Sequence, residues 1–165
     1  NMLIHTIMKK LLLLVLLTIV TSASQLQAQE VFQSMVDNAK LVLDDPNADP
    51  FLKNVSTFKF TAMQYMCTTI IRLEGSADGK FLDQQAAAMN DFITHYFSDM
   101  AIHQSSNAEK QKAIMTRYWK ASIDHPLFKD SNKNVTLEFI KTPGYITPFS
   151  LDTNWVEAVR SLGKK

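Results

Sequence analysis

The sequence predicts an all-α fold, a compact bundle of about five helices with a short extended segment or β-hairpin near the C-terminus. Three observations carry this expectation. Four Gly and five Pro in 165 residues leave little material for the tight turns of a β-sandwich. Apolar residues recur at three- and four-residue spacing in successive stretches, the period of a helix with one buried face. The breaks between stretches hold residues that stop one helix and start the next.

The first stretch, from about residue 30 to 43, sets Val31, Met35, Val36, Ala39, Val42 and Leu43 on one side of a helix. It ends at DDPNADP, where Pro46 stops the helix, Asp49 is placed to cap the next one, and Pro50 suits a first helical position whose amide needs no partner. The second helix is expected to be central. Phe51, Leu52, Val55, Ala62, Met63, Met66, Ile70 and Leu73 share one side, and Phe60, Cys67 and Ile71 form a second apolar strip. The remaining arc of Thr57, Thr61, Gln64, Thr68 and Arg72 is narrow and mostly uncharged, as befits a helix surrounded by others. Lys59 falls on the apolar side, where it either snorkels to the surface or marks a kink.

EGSADGK, residues 74–80, has the composition of a tight connection. A third helix over 81–102 carries Leu82, Met89, Phe92, Ile93, Tyr96, Phe97 and Met100 on one broad face. Ser106-Asn107-Ala108-Glu109 matches a capping box, in which hydroxyl and carboxylate satisfy helix amides reciprocally. The helix it opens turns Ile114, Met115, Tyr118 and Ala121 inward and stops before His125-Pro126, since a residue preceding proline disfavours helix. Val135, Leu137 and Phe139 then alternate with Thr136 and Glu138, and Thr142-Pro143-Gly144-Tyr145 fits a type II turn, so a short hairpin is expected within 135–149. A last helix, starting near Asp152 or Thr153 and ending at Gly163, aligns Trp155, Val156, Val159 and Leu162.

The first 28 residues read as a signal peptide. Met8, the better start, is followed at once by Lys9 and Lys10, then by the uncharged run LLLLVLLTIV, too short to cross a bilayer as a permanent helix. Ala28, with Leu26 two residues before it, offers cleavage ahead of Gln29. The expected product is a single helical domain over 29–165, periplasmic or secreted, with no permanent membrane span. Removing Lys9 and Lys10 leaves 15 basic and 16 acidic residues, so no basic excess points to nucleic acid. Cys67 is the only cysteine, which excludes an intramolecular disulfide.

For chemistry, Asp91, His95, Asp99 and His103 form a ladder spaced by four residues, in which adjacent members could share a metal ion. His95 and His103 are about 12 Å apart at the helical rise, so no single ion takes both, and a second helix must complete any site. Asp45-Pro46-Asn47-Ala48-Asp49 imitates the start of a calcium loop, but Pro50 and Ser56 stand where Gly and Glu belong, which leaves an interhelical linker. Cys67 sits mid-helix among apolar neighbours, the place of a structural thiol. No phosphate loop, nucleophile elbow, His-Glu-x-x-His pair or dinucleotide fingerprint occurs, and no cofactor is expected. Tyr145, Phe149 and Trp155 lie within eleven residues in TPGYITPFSLDTNW. They could present a rigid surface to a partner, although aromatics at the end of a bundle serve burial first.

The LQAQ ending of the signal segment and the TPFSLDTNWVEAV stretch resemble small exported helical proteins of unknown function from Gram-negative gut bacteria. That resemblance implies a location rather than a reaction. The expected function is a binding or interaction module of the cell envelope, with an unknown protein or small ligand as partner. The alternative is a small metal-binding protein or enzyme that uses the His95 and Asp99 face.

Overall fold

The computed structural model describes residues 30–102, 108–129 and 149–163. The expected signal segment, His103, the first half of the capping box, Tyr145 and all of the expected hairpin except Phe149 lie outside them. The described residues form five helices and no strand: α1 Glu30–Asp44, α2 Pro50–Glu74, α3 Gly79–Ile102, α4 Ala108–Ile123 and α5 Trp155–Leu162. The helical bundle expected from sequence is thus present. None of these helices is long and apolar enough to cross a membrane.

Side-chain caps set the boundaries. Asp45 Oδ1 accepts the Asn47 amide at 2.8 Å, and Asp49 Oδ1 accepts those of Phe51 at 2.8 Å and Leu52 at 3.3 Å. Asp49 satisfies amides that the new helix leaves orphaned and Asp45 satisfies one in the turn before it, so the calcium-like spacing serves the turn. At the far end of α2, Gly75 takes a left-handed φ of 78° and donates its N–H to the Ile71 carbonyl at 2.8 Å. A Cβ there would meet nothing within 4 Å, so only the backbone conformation disfavours a side chain. Gly75→Ala is therefore expected to lose about 1 kcal/mol, the left-handed penalty alone, in a urea unfolding curve of unchanged slope.

α1 rests on both α2 and α3, while α5 packs on α3 and α4. Between them lies a core whose largest fully buried side chains include Trp155, Phe58, Phe92, Phe149, Met63, Met66, Leu82 and Met89. Two expectations need correction here. In α1 it is Phe32 that is buried with Val36 and Ala39, whereas Val31 is 44% exposed. The Phe32 amide donates to Asp83 Oδ1 of α3 at 2.9 Å, which fixes the rotation of α1. In α2, Phe58 is fully buried between Val55 and Ala62 although neither expected strip included it, while Phe51, Leu52 and Leu73, near the helix ends, are exposed.

The last helix also begins later than expected. Its cap is Asn154, whose side chain accepts the Glu157 amide at 3.3 Å. Asp152 and Thr153 are engaged elsewhere. Asp152 Oδ1 accepts the amides of Leu127 and Phe128, each at 2.9 Å, and Thr153 Oγ1 lies 2.9 Å from Ser122 Oγ. Gly163 closes α5 in the right-handed region, at φ −79°.

Candidate functional site

The C-terminal aromatics come first, because their fate narrows the search. Phe149 and Trp155 are fully buried. Trp155 meets Phe92 at 5.4 Å and Phe58 at 6.0 Å between ring centroids, and Phe149 meets both Phe92 and Tyr96 at 5.0 Å. All these pairs are edge-to-face, the arrangement ring quadrupoles prefer. The partner-facing surface expected of Tyr145, Phe149 and Trp155 is therefore not offered by the latter two, since their area is already removed from water.

A polar tie holds this segment in place. The Ser150 amide donates to Ser122 Oγ at 2.7 Å, Thr153 Oγ1 donates to the Ser150 carbonyl at 2.8 Å, and the Asn154 amide donates to the His125 carbonyl at 2.7 Å. Ser122, Ser150, Asp152 and Thr153 are all buried. These contacts tie residues 150–154 to the end of α4 and the turn after it, or close the segment on itself, so the cluster is a structural clasp.

Of the acidic and histidine ladder, Asp91, His95 and Asp99 lie among the described residues. Asp91 and His95 are exposed on α3, and the half-buried Asp99 accepts the Tyr118 hydroxyl of α4 through Oδ2 at 2.6 Å. Burial, and then the Asp99 carboxylate, push the Tyr118 phenol well above its usual range, so it stays a hydrogen-bond donor. Among the described residues no three His, Cys, Asp or Glu side chains converge on a point where a metal could sit. Cys67 is buried, and that burial raises its thiol pKa, the opposite of what a nucleophile requires.

A groove of about 730 Å³ runs where α1, α2 and α3 meet. Ser34 and Asn38 line it from α1, Ser56 and Lys59 from α2, and Ala87, Asn90 and Asp91 from α3. Met35, Ala39 and Val42 give its α1 wall an apolar strip, and Glu30 and Val31 stand at the start of that helix. Lys59 is half-buried, and its Nζ donates to Asn90 Oδ1 at 2.9 Å. Among the described residues it has no carboxylate partner, and burial lowers its pKa. Of the two alternatives the sequence left for Lys59, the side chain reaches the opposite wall of a cleft and α2 continues unbroken through it. A lysine on an apolar helix face was thus the one signal for this groove. The walls supplied by α1 and α3 had none, because helix rotation and register are tertiary facts. Comparison of the chain with protein-family models, with curated proteins and with solved structures finds no match.

Proposed function

We propose that this chain is an exported binding module of the cell envelope, and that the groove between α1, α2 and α3 is where it binds. The observation that carries the reading is the groove itself, a cleft of about 730 Å³ with mixed polar and apolar walls. Ligand sites have this volume and this mixture, an apolar lining with a few placed polar groups. The envelope location rests on the Lys9-Lys10 pair, the apolar run and the small residues before Gln29, and it agrees with the location that the resemblance implies.

The test is native mass spectrometry of the full chain expressed in a Gram-negative host and isolated from its envelope fraction. A cleaved product beginning at Gln29 and carrying a non-covalent adduct is expected. Ala87→Trp, a substitution at an exposed helix position that fills the groove, should abolish the adduct without lowering the thermal midpoint. An unprocessed chain overturns the export reading. An adduct retained in Ala87→Trp, or none on the native chain, overturns the groove.

A further inference from the structure

Three features stand out among the described residues as incompletely satisfied by the fold. One is the unpartnered indole Nε1 of Trp155, which faces a packed aromatic core. Another is the exposed Leu52 at the start of α2, beside Phe51, whose ring packs edge-on against Phe97 at 4.9 Å. The third is the Lys59 ammonium, and it alone combines an open cavity, a charge and a directed hydrogen bond.

Given the groove reading above, on which this inference rests, we propose that the ligand is a singly charged carboxylate on an unbranched apolar tail, its carboxylate held by Lys59 and Asn90 and its tail lying along Met35, Ala39 and Val42. The argument begins with charge. An ammonium that is half out of water and has no carboxylate partner among the described residues carries an unmet electrostatic demand. Only one Nζ hydrogen is committed, to Asn90 Oδ1, which leaves two donors for oxygen atoms entering the groove. The Asn90 amide nitrogen supplies a further donor on the same wall.

Two carboxylates also line the groove, Glu30 on α1 and Asp91 on α3, and both are exposed. Water and salt screen them more than they screen the half-buried Lys59, which among the described residues is the one cation lining the groove. A doubly charged phosphate would still feel both rim carboxylates, and a single carboxylate feels them half as strongly. The α1 wall is apolar at successive helical turns, through Met35, Ala39 and Val42, so it matches a straight hydrocarbon better than a compact polar ligand. A cationic amphiphile would place like charge against Lys59.

Decanoate, decan-1-ol and decyltrimethylammonium, each below its micelle concentration, are the probes, titrated into the native chain and followed by amide chemical shifts. Decanoate should bind with shifts at Ser34, Asn38 and Asn90, and decan-1-ol at least about tenfold more weakly, a charge-assisted hydrogen bond being worth about that much. Lys59→Met keeps the apolar stem and should lower decanoate affinity by the same factor while leaving decan-1-ol unchanged. Decanoate binding should also weaken as pH rises through the Lys59 pKa, which burial has lowered, so the loss comes earlier than for a surface lysine. Equal affinity for decanoate and decan-1-ol, tighter binding of the cation, or undiminished decanoate binding in Lys59→Met would each overturn the proposal. If Ala87→Trp still removes the native adduct in that case, the groove stands and only the carboxylate falls.

Discussion

Trp155→Ala is expected to remove about 3–5 kcal/mol of folding stability, the cost of truncating a fully buried aromatic. A domain of this size has about 5–15 kcal/mol in all, so the variant sits near the edge of folding. The size of the loss follows from where the indole sits. It fills the junction of α2, α3 and α5, with Phe58, Phe92 and Phe149 within 6.5 Å between centroids. Its removal leaves a cavity bounded by three rigid rings that cannot collapse into it, the situation in which cavity costs are highest. Trp155→Phe provides the calibration. It keeps most of the packing and also deletes an indole N–H that has no acceptor among the described residues, so its cost should stay near 1 kcal/mol. Urea unfolding of both variants checks the pair. Equal losses would mean that the hole matters less than the indole itself, and a loss below about 1 kcal/mol in Trp155→Ala would refute the packing account.

How much of this was legible in the sequence depends on whether a feature is local. The Asp49 and Pro50 pair marks the start of α2 because cap and first turn are adjacent in the chain, and the same holds for Gly75 at its end. Helix spacing likewise brings out Leu82, Met89, Phe92, Ile93 and Tyr96 on α3. Errors begin where a distant partner decides. Val31 and Phe32 are neighbours that could each begin an apolar stripe, and it is the packing of α1 on α2 and α3, with Asp83 fifty-one residues away accepting the Phe32 amide, that buries Phe32. Asp152 and Thr153 both have cap-forming side chains, and only their bonds to residues 122–128 hand the role to Asn154. Aromatic spacing identified Phe149 and Trp155 as a group without telling whether they face inward or out. Periodicity also gives no credit to a polar residue on a buried face. Lys59 was noticed for that reason, while Gln85, three residues from Leu82 and four from Met89, was not.

Gln85 supplies the second large effect. Its side chain is 2% exposed and reads α5 in both directions: Nε2 donates to Asn154 Oδ1 at 3.0 Å, and Oε1 accepts the Trp155 amide at 2.8 Å. Gln85→Glu changes neither shape nor volume, yet it replaces the donor with an oxygen aimed at another oxygen and buries a negative charge. At pH 7 this is expected to cost about 3 kcal/mol, within the range for an uncompensated buried group. The pH dependence then separates charge from shape. Burial must raise the new carboxyl's folded pKa above the unfolded value of about 4.3. Below that unfolded value the group is protonated in both states, its hydroxyl can donate to Asn154 as the amide did, and the variant should approach the parent. As pH rises towards the folded pKa the unfolded state releases its proton first, so stability relative to the parent falls, and it levels off once both states are ionised. Parallel urea titrations at pH 4 and pH 7 measure this directly. A deficit equal at both values would show that α5 is held by the packing of Trp155 alone. A deficit confined to the higher pH would show that the two hydrogen bonds of Gln85 fix where the helix begins, and hence that one polar side chain inside the core sets how deeply Trp155 is seated.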